Sequence, residues 1–308
     1  MNKVLFHISD LIGKKIIFPF YHLVSDEECP HIRHLYPVKT IQKFEEELDF
    51  FQRNYQSIDL EEILQHLQNN TAPKKPSFFL SFDDGLKECH SVIAPILKKR
   101  NLSAAFFINT GFVDNQALFF RYKISLLIDH LEKSNVNFSK QDWLEMTHAD
   151  TEKINLFAKD LQVDFKQFLK EQQPYMNWSE IEDLKNQGFH IGAHSIDHPL
   201  YANISLEEQI RQTQESMEEI QSRLILNSRI FSFPFTDDGV STELFKEIFE
   251  QKIVDLSFGT AGIKDDEFQN NLQRLPMDNC LNSVESFVFK NQMMYVLKKI
   301  IGKHQVQH

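Results

Sequence analysis

The sequence predicts an α/β fold, a parallel sheet or barrel that carries a helical insertion. Short apolar runs typical of buried strands alternate with stretches of helical periodicity along most of the chain. Between about residues 114 and 174 the strand-like runs stop, and helical periodicity continues alone. The length of 308 residues suits one large α/β domain or two smaller ones. Because no repeat or low-complexity linker divides the chain, we expect a single domain over residues 1–308.

The elements on either side of the insertion follow one another in a regular order. The stretch KKIIFPFYHLV, residues 14–24, predicts a short buried strand that ends near Tyr21 and His22. Residues 40–55 carry apolar side chains on one helical face, which predicts a helix. The same criteria predict further strands at 74–82, 102–112, 189–195, 229–235, 253–259 and 272–277, and further helices at 57–67, 89–101, 177–188, 205–226 and 241–251.

Charge and cysteine content exclude several classes of function. The net charge is −11, and no basic cluster is longer than Lys98-Lys99-Arg100. Such a surface is too acidic for a broad phosphate-backbone footprint, so we expect no nucleic-acid partner. The three cysteines, Cys29, Cys89 and Cys280, are widely spaced and form no CxxC pair. They are typical of reduced thiols rather than of a disulfide framework.

The amino-terminal residues do not form a signal-peptide core in this interpretation. His7, Asp10, Lys14 and Lys15 interrupt the apolar stretches there. No apolar run in the chain reaches transmembrane length. We therefore expect a cytoplasmic protein without a transmembrane segment, and the sequence specifies no oligomeric state.

Two neighbouring aspartates end the strand predicted at 74–82. Asp83 and Asp84 precede Gly85, and neither carboxylate suits the interior of a buried strand. One interpretation is a turn, because Asp bonds its own backbone and Gly accepts a positive φ. The other is a metal site, in which one carboxylate binds a cation and the second stays free for proton transfer. The motif alone leaves both interpretations open.

Two histidines follow the strand predicted at 189–195. His194 and His198 are four residues apart, and Pro199 disfavours a helical conformation at His198, which places that residue in a loop. Two imidazoles and one carboxylate make a metal-binding set that leaves positions open for water and substrate. Thirteen histidines also make a chance pair at this spacing plausible. Since both motifs follow predicted strands, they would meet on the same rim of one barrel.

Together the two motifs resemble those of a known family. Ser81-Phe82-Asp83-Asp84-Gly85, followed by His194-Ser195-x-x-His198-Pro199, is similar to the first two motifs of the polysaccharide deacetylases, carbohydrate esterase family four, also called the NodB homology domain. The resemblance runs from Ile16 to about Pro276, apart from the helical insertion. It implies a distorted (β/α)7 barrel, a divalent metal that is usually zinc, and removal of an acetyl group from an amino sugar.

The resemblance also implies roles for four residues. Asp84, His194 and His198 would hold the metal ion, most often Zn²⁺, and Asp83 would act as the catalytic base. Zinc held by three protein groups lowers the pKa of its water towards about 7 and polarises the amide carbonyl. Asp83, adjacent but not a ligand, could take the proton of that water. The two aspartates would then lie together because one binds the metal and the other acts on its water.

The later motifs depart from the family pattern. The third normally supplies an Arg that orients the base, then a Pro and an aromatic residue whose backbone N–H stabilises the oxyanion. Here Pro234 and Phe235 are present without that Arg. Arg274 ends a late strand and could replace it, although a surface ion pair is an equal alternative. The fifth motif normally supplies a His as general acid, and residues 273–279 contain none.

Other polar residues could complete the site. His22 ends the first strand and is the nearest candidate for the general acid, the alternative being a structural histidine. Asp255 is the residue retained from the fourth motif. Cys29, His31 and His34 make another conceivable metal cluster, but their spacing does not suit a zinc knuckle.

These observations predict a metal-dependent hydrolase that acts on a carbon–nitrogen bond other than a peptide bond. Its substrate would be an N-acetylated sugar or glycan, such as a lipid- or nucleotide-linked intermediate of cell-envelope polysaccharide synthesis. We expect the helices of the insertion, at about 114–174, to shape the substrate cleft. Deformylation or O-deacetylation of a sugar would use the same groups. A non-catalytic barrel that binds metal and carbohydrate is a further alternative, although it would not need Asp83.

Overall fold

The computed structural model describes residues 13–308 and contains an eight-stranded parallel sheet that curls into a barrel. In chain order the strands are β1 Ile16–Ile17, β2 Pro19–Tyr21, β3 Gln56–Ser57, β4 Ser77–Phe78, β5 Leu80–Phe82, β6 Ala104–Ile108, β7 His190–Ala193, β8 Ile230–Ser232, β9 Leu256–Gly259, β10 Asn271–Gln273 and β11 Leu275–Pro276. The α-helices are α1 Ile41–Asn54, α2 Leu60–Gln68, α3 Ala94–Lys99, α4 Phe120–Lys133, α5 Lys140–Leu144, α6 Thr151–Asp160, α7 Phe165–Gln172, α8 Trp178–Asn186, α9 Leu206–Arg223, α10 Thr242–Glu250 and α11 Val284–Ile300.

One stretch of chain closes the barrel. The order in the sheet is β10-β9-β8-β7-β6-β5-β2-β11, and Arg274 alone separates β10 from β11 in the chain. β10 pairs with β9, whereas β11 pairs with β2 on the other side. Counted as one strand, β10 and β11 make a barrel of seven. This arrangement confirms the predicted α/β barrel of the distorted (β/α)7 type.

The first strands extend beyond the barrel into a small second sheet. β1, β4 and β3 form a parallel sheet in the order β1-β4-β3. β1 pairs with β4, and β2, which follows β1, pairs with β5, which follows β4. The hydrogen bonds continue between the two pairs, since Phe79 N–H donates to the Ile17 carbonyl at 3.1 Å. The sequence predicts one strand at 14–24 and one at 74–82. The structure divides each of them into two short strands.

Aromatic and aliphatic side chains fill the barrel. β6 is buried at every residue. The rings of Phe82 and Phe106 stack with centroids 5.1 Å apart, and Phe107 lies 5.4 Å from Phe258. Strands of a parallel barrel are covered on both faces and are therefore apolar nearly throughout. The continuous apolar runs in the sequence have this cause.

Polar caps determine where several helices begin. The Thr40 side chain accepts the Lys43 N–H at the start of α1, and Asp59 and Asn177 form capping boxes at α2 and α8. Such caps satisfy backbone N–H groups that have no partner inside the helix. They place each helix start close to its position in the sequence prediction.

The inserted helices build their own apolar cluster. Helices α4 to α7 lie between β6 and β7, in the segment where helical periodicity continues alone in the sequence. Phe112, Phe119, Tyr122 and Tyr175 belong to a cluster that is separate from the main barrel core. Because Phe119 and Tyr122 also reach the barrel rim, the insertion is packed against the end of the barrel where the motifs lie.

The carboxyl-terminal helix α11 is not part of the sequence prediction. It buries Val288 and Tyr295, while Phe289 remains 39% exposed. A helix with apolar residues on several faces lacks the single stripe that marks an amphipathic helix in sequence. Within residues 13–308 no helix has the length and apolarity needed to span a membrane. His7 and Asp10, which argue against a signal-peptide core, lie outside the described residues.

Truncation of a barrel ring should destabilise the fold far more than truncation of a helix-surface ring. We expect Phe106→Ala to lower the free energy of unfolding by about 3–5 kcal/mol, because it leaves a cavity beside Phe82. Phe289→Ala is the control and should cost about 1 kcal/mol or less. Urea unfolding followed by circular dichroism measures both, and equal losses would contradict the assigned barrel core.

Candidate metal centre

Two strand ends bring three possible metal ligands together. Asp84 follows β5, and His194 follows β7, which is separated from β5 by β6 alone. The Asp84 Oδ1 atom lies 3.2 Å from His198 Nε2 and 3.6 Å from His194 Nε2. All three side chains are buried, and their ligand atoms lie within 4.8 Å of one another. The structure thus brings the three sequence-predicted ligands to one point.

Unusual backbone conformations aim two of these side chains. Asp84 has a φ of 71° and His198 a φ of 61°. Residues other than glycine rarely adopt such left-handed conformations, which cost roughly 1–3 kcal/mol each and cluster at functional sites. The loop position expected for His198 from the following proline agrees with this conformation. The turn interpretation of Asp83-Asp84-Gly85 and the metal interpretation are therefore compatible.

The donor set fits a divalent cation. Asp84 Oδ1 is buried and has no hydrogen-bond partner among residues 13–308, which leaves an anionic oxygen for a ligand. His194 Nδ1–H donates to the Ser232 carbonyl at 2.7 Å, so its Nε2 carries the free lone pair. Burial lowers the pKa of His194 to about 4, which keeps the imidazole neutral at pH 7. One carboxylate and two imidazoles are typical zinc ligands.

A tyrosine from the insertion orients the carboxylate ligand. The Tyr122 hydroxyl donates to Asp84 Oδ2 at 2.8 Å. This bond occupies the oxygen that does not face the imidazoles and fixes the rotation of the carboxylate. Tyr122 is absent from the sequence prediction, because it lies in an inserted helix without a motif of its own. No local signal relates residue 122 to residue 84.

Arg274 holds the second aspartate in a buried, bidentate ion pair. Its two terminal nitrogens donate to Asp83 Oδ1 at 2.8 Å and to Oδ2 at 2.7 Å. Arg274 is fully buried, which excludes the alternative of a surface ion pair. Burial raises the pKa of Asp83, but the charge and hydrogen bonds of Arg274, together with His194 and His22, lower it by more, so that the pKa lies below its ordinary value. Asp83 Oδ2 is 4.0 Å from His194 Nε2, beside the possible metal position.

His22 lies at the same rim but pairs with an acid that the sequence prediction does not include. Its Nδ1 is 2.5 Å from Asp278 Oδ2. Burial lowers the pKa of His22, but Asp278 outweighs it, with smaller effects of Asp84 and Asp83, and raises the pKa to about 9. Asp278 lies within residues 273–279, the stretch that lacks the family's histidine. The sequence feature that could have indicated Asp278 is its position as an acidic residue just after the last strand.

A cavity of about 400 Å³ opens beside these residues. Its lining includes His22, Asp84, His198 and Phe235, together with residues of the inserted segment. The Phe235 ring packs on His198 with centroids 4.6 Å apart, and the residue follows Pro234 with a φ of 58°. The lining residues from the insertion are Phe119, Arg121 and Leu144. The insertion therefore forms one wall of the cavity, as expected of the segment at about 114–174.

Two other sequence-based candidates lie away from this centre. Asp255 precedes β9 and pairs with Arg229, with the nearest atoms 2.5 Å apart, so it lies at the opposite end of the strands. Cys29 Sγ bonds to the Glu27 carbonyl, and Cys29 belongs to none of the possible metal clusters found in residues 13–308. His34 instead lines the cavity.

Comparison with known proteins gives a family and several similar folds. The model of the family described as "Polysaccharide deacetylase" matches residues 70–248. A de-N-acetylase from Aggregatibacter actinomycetemcomitans has a TM-score of 0.60 at 16% identity, covering 90% of this chain and 99% of that chain. The Streptococcus pyogenes deacetylase PplD, solved with acetate, has a TM-score of 0.57 at 16% identity, covering 85% of this chain and 92% of that chain.

A third similar structure is IcaB from Ammonifex degensii, with a TM-score of 0.57 at 15% identity. It covers 90% of this chain and 95% of that chain. A search of curated protein sequences gives no match. At these identities the structural likeness establishes the fold, and the match of the family model covers more than half of the chain.

Loss of Arg274 should destabilise the protein in a pH-dependent way. In the native protein, the lowered pKa of Asp83 contributes stability above its unfolded pKa, and this stability is lost as pH falls. In Arg274→Gln, burial loses its strongest opposing effect and raises the pKa of Asp83, so the charged carboxylate destabilises the fold at neutral pH. We expect a loss of about 3–5 kcal/mol at pH 7 in metal-free protein, and a smaller loss at pH 5.

Urea unfolding in the presence of a chelator measures this effect at both pH values. Arg223→Gln is the matched control, because Arg223 pairs with Glu219 on the surface of α9. That variant should lie within about 1 kcal/mol of the native protein, since it loses a surface ion pair and a surface contact with the Trp178 ring. A loss for Arg274→Gln that equals the control, or that does not depend on pH, would refute the assigned electrostatic role.

Proposed function

The chain belongs to the polysaccharide deacetylase family, and we propose that it removes the acetyl group of an N-acetylated sugar by hydrolysis. One observation carries the proposal: a buried Asp84-His194-His198 set lies beside a second carboxylate, Asp83, that Arg274 holds in place. A site that only bound a metal would not need the second carboxylate. Metal-assisted hydrolysis uses a cation and a base; the three ligands supply a place for the cation, and Asp83 supplies the base.

We propose Zn²⁺ as the cation, held by Asp84 Oδ1 and the Nε2 atoms of His194 and His198. When bound, such an ion lowers the pKa of a coordinated water to about 7 and polarises the substrate carbonyl. The contacts to Ser232 and Tyr122 support this assignment, because ligands to metals are usually oriented by such bonds. The neutral His194 is ready to bind without first losing a proton.

Asp83 is the proposed general base. As water attacks the acetyl carbon, Asp83 Oδ2 accepts the proton that the water loses. Arg274 occupies one direction on each carboxylate oxygen, and the Ser232 hydroxyl also donates to Oδ2, at 3.4 Å. That longer bond is weak enough to give way when Oδ2 takes the proton. The Arg274 charge keeps Asp83 ionised and fixes its orientation, although it also makes the carboxylate a weaker base. The backbone N–H of Phe235, next to Pro234, is the proposed donor to the oxyanion.

His22 is the proposed general acid. Amide hydrolysis breaks the bond between the acetyl carbon and the sugar nitrogen, and that nitrogen must gain a proton to leave as an amine. His22 has a pKa of about 9, so at pH 7 it carries the proton that it would donate from Nε2. Asp278 binds the other ring nitrogen and would stabilise the charged imidazole. The products are acetate and the free amino sugar.

Two other reactions use the same groups. Removal of a formyl group differs in the acyl substituent alone, and O-deacetylation differs in a leaving group that needs less protonation. The strongly paired His22 favours the amide, because an ester would gain little from a proton donor. We therefore place amide hydrolysis first, and the description of the matching family as polysaccharide deacetylase favours the acetyl over the formyl group.

Replacement of the base should abolish turnover without loss of the metal. We expect Asp83→Asn to reduce kcat for acetate release from N-acetylated sugar oligomers by roughly 10²–10⁴, while its zinc content stays near that of the native protein. His194→Ala should lose both zinc and activity. Asp238→Asn is the control, because Asp238 is exposed in the loop that follows β8. Acetate release and metal analysis of the same samples measure both quantities.

An Asp83→Asn variant with native activity would refute the role of the base. Chelation of the native protein should also remove activity, and added Zn²⁺ should restore it. Bound zinc without turnover of any acylated sugar would support the non-catalytic, carbohydrate-binding alternative instead.

The pH dependence of kcat should report on His22. Because the acid acts while protonated, kcat for an amide should fall as pH rises through a value near 9, the pKa of His22. In Asp278→Asn the raising charge is lost, so this fall should move to lower pH, towards the ordinary value of 6.5. His22→Ala should impair an amide far more than an ester with a good leaving group. Equal losses on both substrates would reject the acid role.

A further inference from the structure

Arg121 is a half-buried cation without an acidic partner. Six of the eight arginines form ion pairs with carboxylates, namely Arg33, Arg100, Arg211, Arg223, Arg229 and Arg274. Arg53 bonds to the backbone carbonyl of Asp49. Arg121 donates to the Leu144 carbonyl and pairs with no carboxylate in residues 13–308. Its burial lowers the pKa of the guanidinium, and no carboxylate offsets that cost.

The guanidinium of Arg121 is held at the wall of the cavity. It lies 5.8 Å from the ring centroids of Phe120 and of Phe235, the residue proposed to bind the oxyanion. Arg121 lines the same cavity as Asp84 and His198. Stacking on two rings and the bond to Leu144 limit the motion of the side chain, and leave other N–H groups free. A ligand whose acyl group reached Asp84 would therefore pass this cation.

The helix that carries Arg121 adds a second positive feature at the same place. Helix α4 begins at Phe120, and its N-cap residue, Phe119, lines the cavity. Phe119 makes no side-chain capping bond, and the first turn contains no acidic residue. An uncapped start of a 14-residue helix presents free N–H groups and a partial positive charge, which favour an anion.

The charges around the cavity agree with these two features. Among the described residues that line the cavity, Asp84 alone is acidic, and its carboxylate is committed to the proposed metal. The cavity is also lined by His22, whose charge is paired with Asp278, and by Arg121. Arg121 thus contributes to this cavity a positive charge that no carboxylate of the described chain neutralises, in a protein of net charge −11.

We propose that the sugar substrate carries a phosphoryl group, which Arg121 and the amino-terminal turn of α4 bind beside the acetyl group. A guanidinium binds phosphate through paired hydrogen bonds, and a helix start binds it through backbone N–H groups. This inference rests on the proposed function and specifies its substrate class, an N-acetylated amino-sugar phosphate. The phosphoryl group can belong to a simple sugar phosphate, a nucleotide-linked sugar or a lipid-linked sugar.

Kinetics with matched substrates test this proposal. The two substrates are N-acetylglucosamine 1-phosphate and methyl N-acetylglucosaminide, which present the same acetyl group with and without a phosphate. We expect the native enzyme to prefer the phosphate by at least about ten-fold in kcat/KM, since the charge-assisted hydrogen bonds to the phosphate have no counterpart in the neutral glycoside. Arg121→Gln should remove most of that preference, mainly through KM, and Arg121→Lys should retain part of it.

Lys123→Gln is the matched control. Lys123 lies two residues further along α4, and its ammonium group bonds to Asn155 outside the cavity. This variant removes the same charge from the same helix and should keep the native preference. If Lys123→Gln loses as much of the preference for the phosphate substrate as Arg121→Gln does, the preference depends on the overall charge of the helix. That result would overturn the specific site at Arg121.

The same assay separates this proposal from the proposed function. If the native enzyme uses both substrates equally, or prefers the neutral one, the phosphate site is refuted while the deacetylase activity stands. If no acetylated sugar is turned over, the proposed function fails. Calorimetric binding of N-acetylglucosamine 1-phosphate to the native protein and to Arg121→Gln then decides the phosphate site by itself. Equal affinities would overturn it, and weaker binding by the variant would support it.

A further set of substrates identifies the source of the phosphoryl group. The sugar 1-phosphate, a uridine-diphosphate-linked sugar and a polyprenyl-diphosphate-linked sugar in detergent are compared with a neutral oligosaccharide. A higher kcat/KM for any phosphate-bearing form supports the proposal, and the order among the three gives the source. A higher kcat/KM for the neutral oligosaccharide than for all three overturns it.

Discussion

The buried ion pair between Arg274 and Asp83 is the interaction on which the rest of the site depends. Arg274 stands between β10 and β11, where the closing strand changes its partner from β9 to β2. Its guanidinium lies 4.2 Å from the centroid of the Phe20 ring inside the barrel. Burial of two charges costs several kcal/mol for each ion unless the geometry offsets it. Paired hydrogen bonds to Asp83 and a further bond to Ser232 provide that geometry, so closure of the barrel and placement of the base are coupled.

Ser232 extends this coupling to the metal ligands. Its hydroxyl accepts a hydrogen bond from Arg274 at 2.6 Å, and its backbone carbonyl accepts one from His194 Nδ1 at 2.7 Å. One residue at the end of β8 thus orients a ligand to the proposed cation and also the group that holds the base. Because the network is buried and connected, a displaced strand would move both groups together. This connection explains how the ends of four short strands can position Asp83, His194, Ser232 and Arg274 together.

The accessory groups come from other elements than those of the family pattern that the sequence resembles. The cation that holds the base comes from the closing strand instead of β8. The proposed acid, His22, follows β2. It is bound by Asp278, which follows the neighbouring strand β11. In a closed barrel, strands that are distant in sequence are neighbours in space, so one rim position can be reached from several strands. The inserted helices form one wall of the cavity and bring the cation Arg121 to it.

The sequence by itself determined the alternation of strands and helices and the two strand-end motifs, and the family resemblance of those motifs implied the barrel and the set of possible metal ligands. Apolar runs mark strands covered on both faces, and Asp83, Asp84, His194 and His198 follow two of them directly, so these features are local. The partners of those residues depend on contacts between distant segments. Tyr122 approaches Asp84 through the fold of an insertion, and Asp278 meets His22 across 256 positions. Only the tertiary structure decided that Arg274 is buried, because a sequence does not show which side of the closing strand faces the interior.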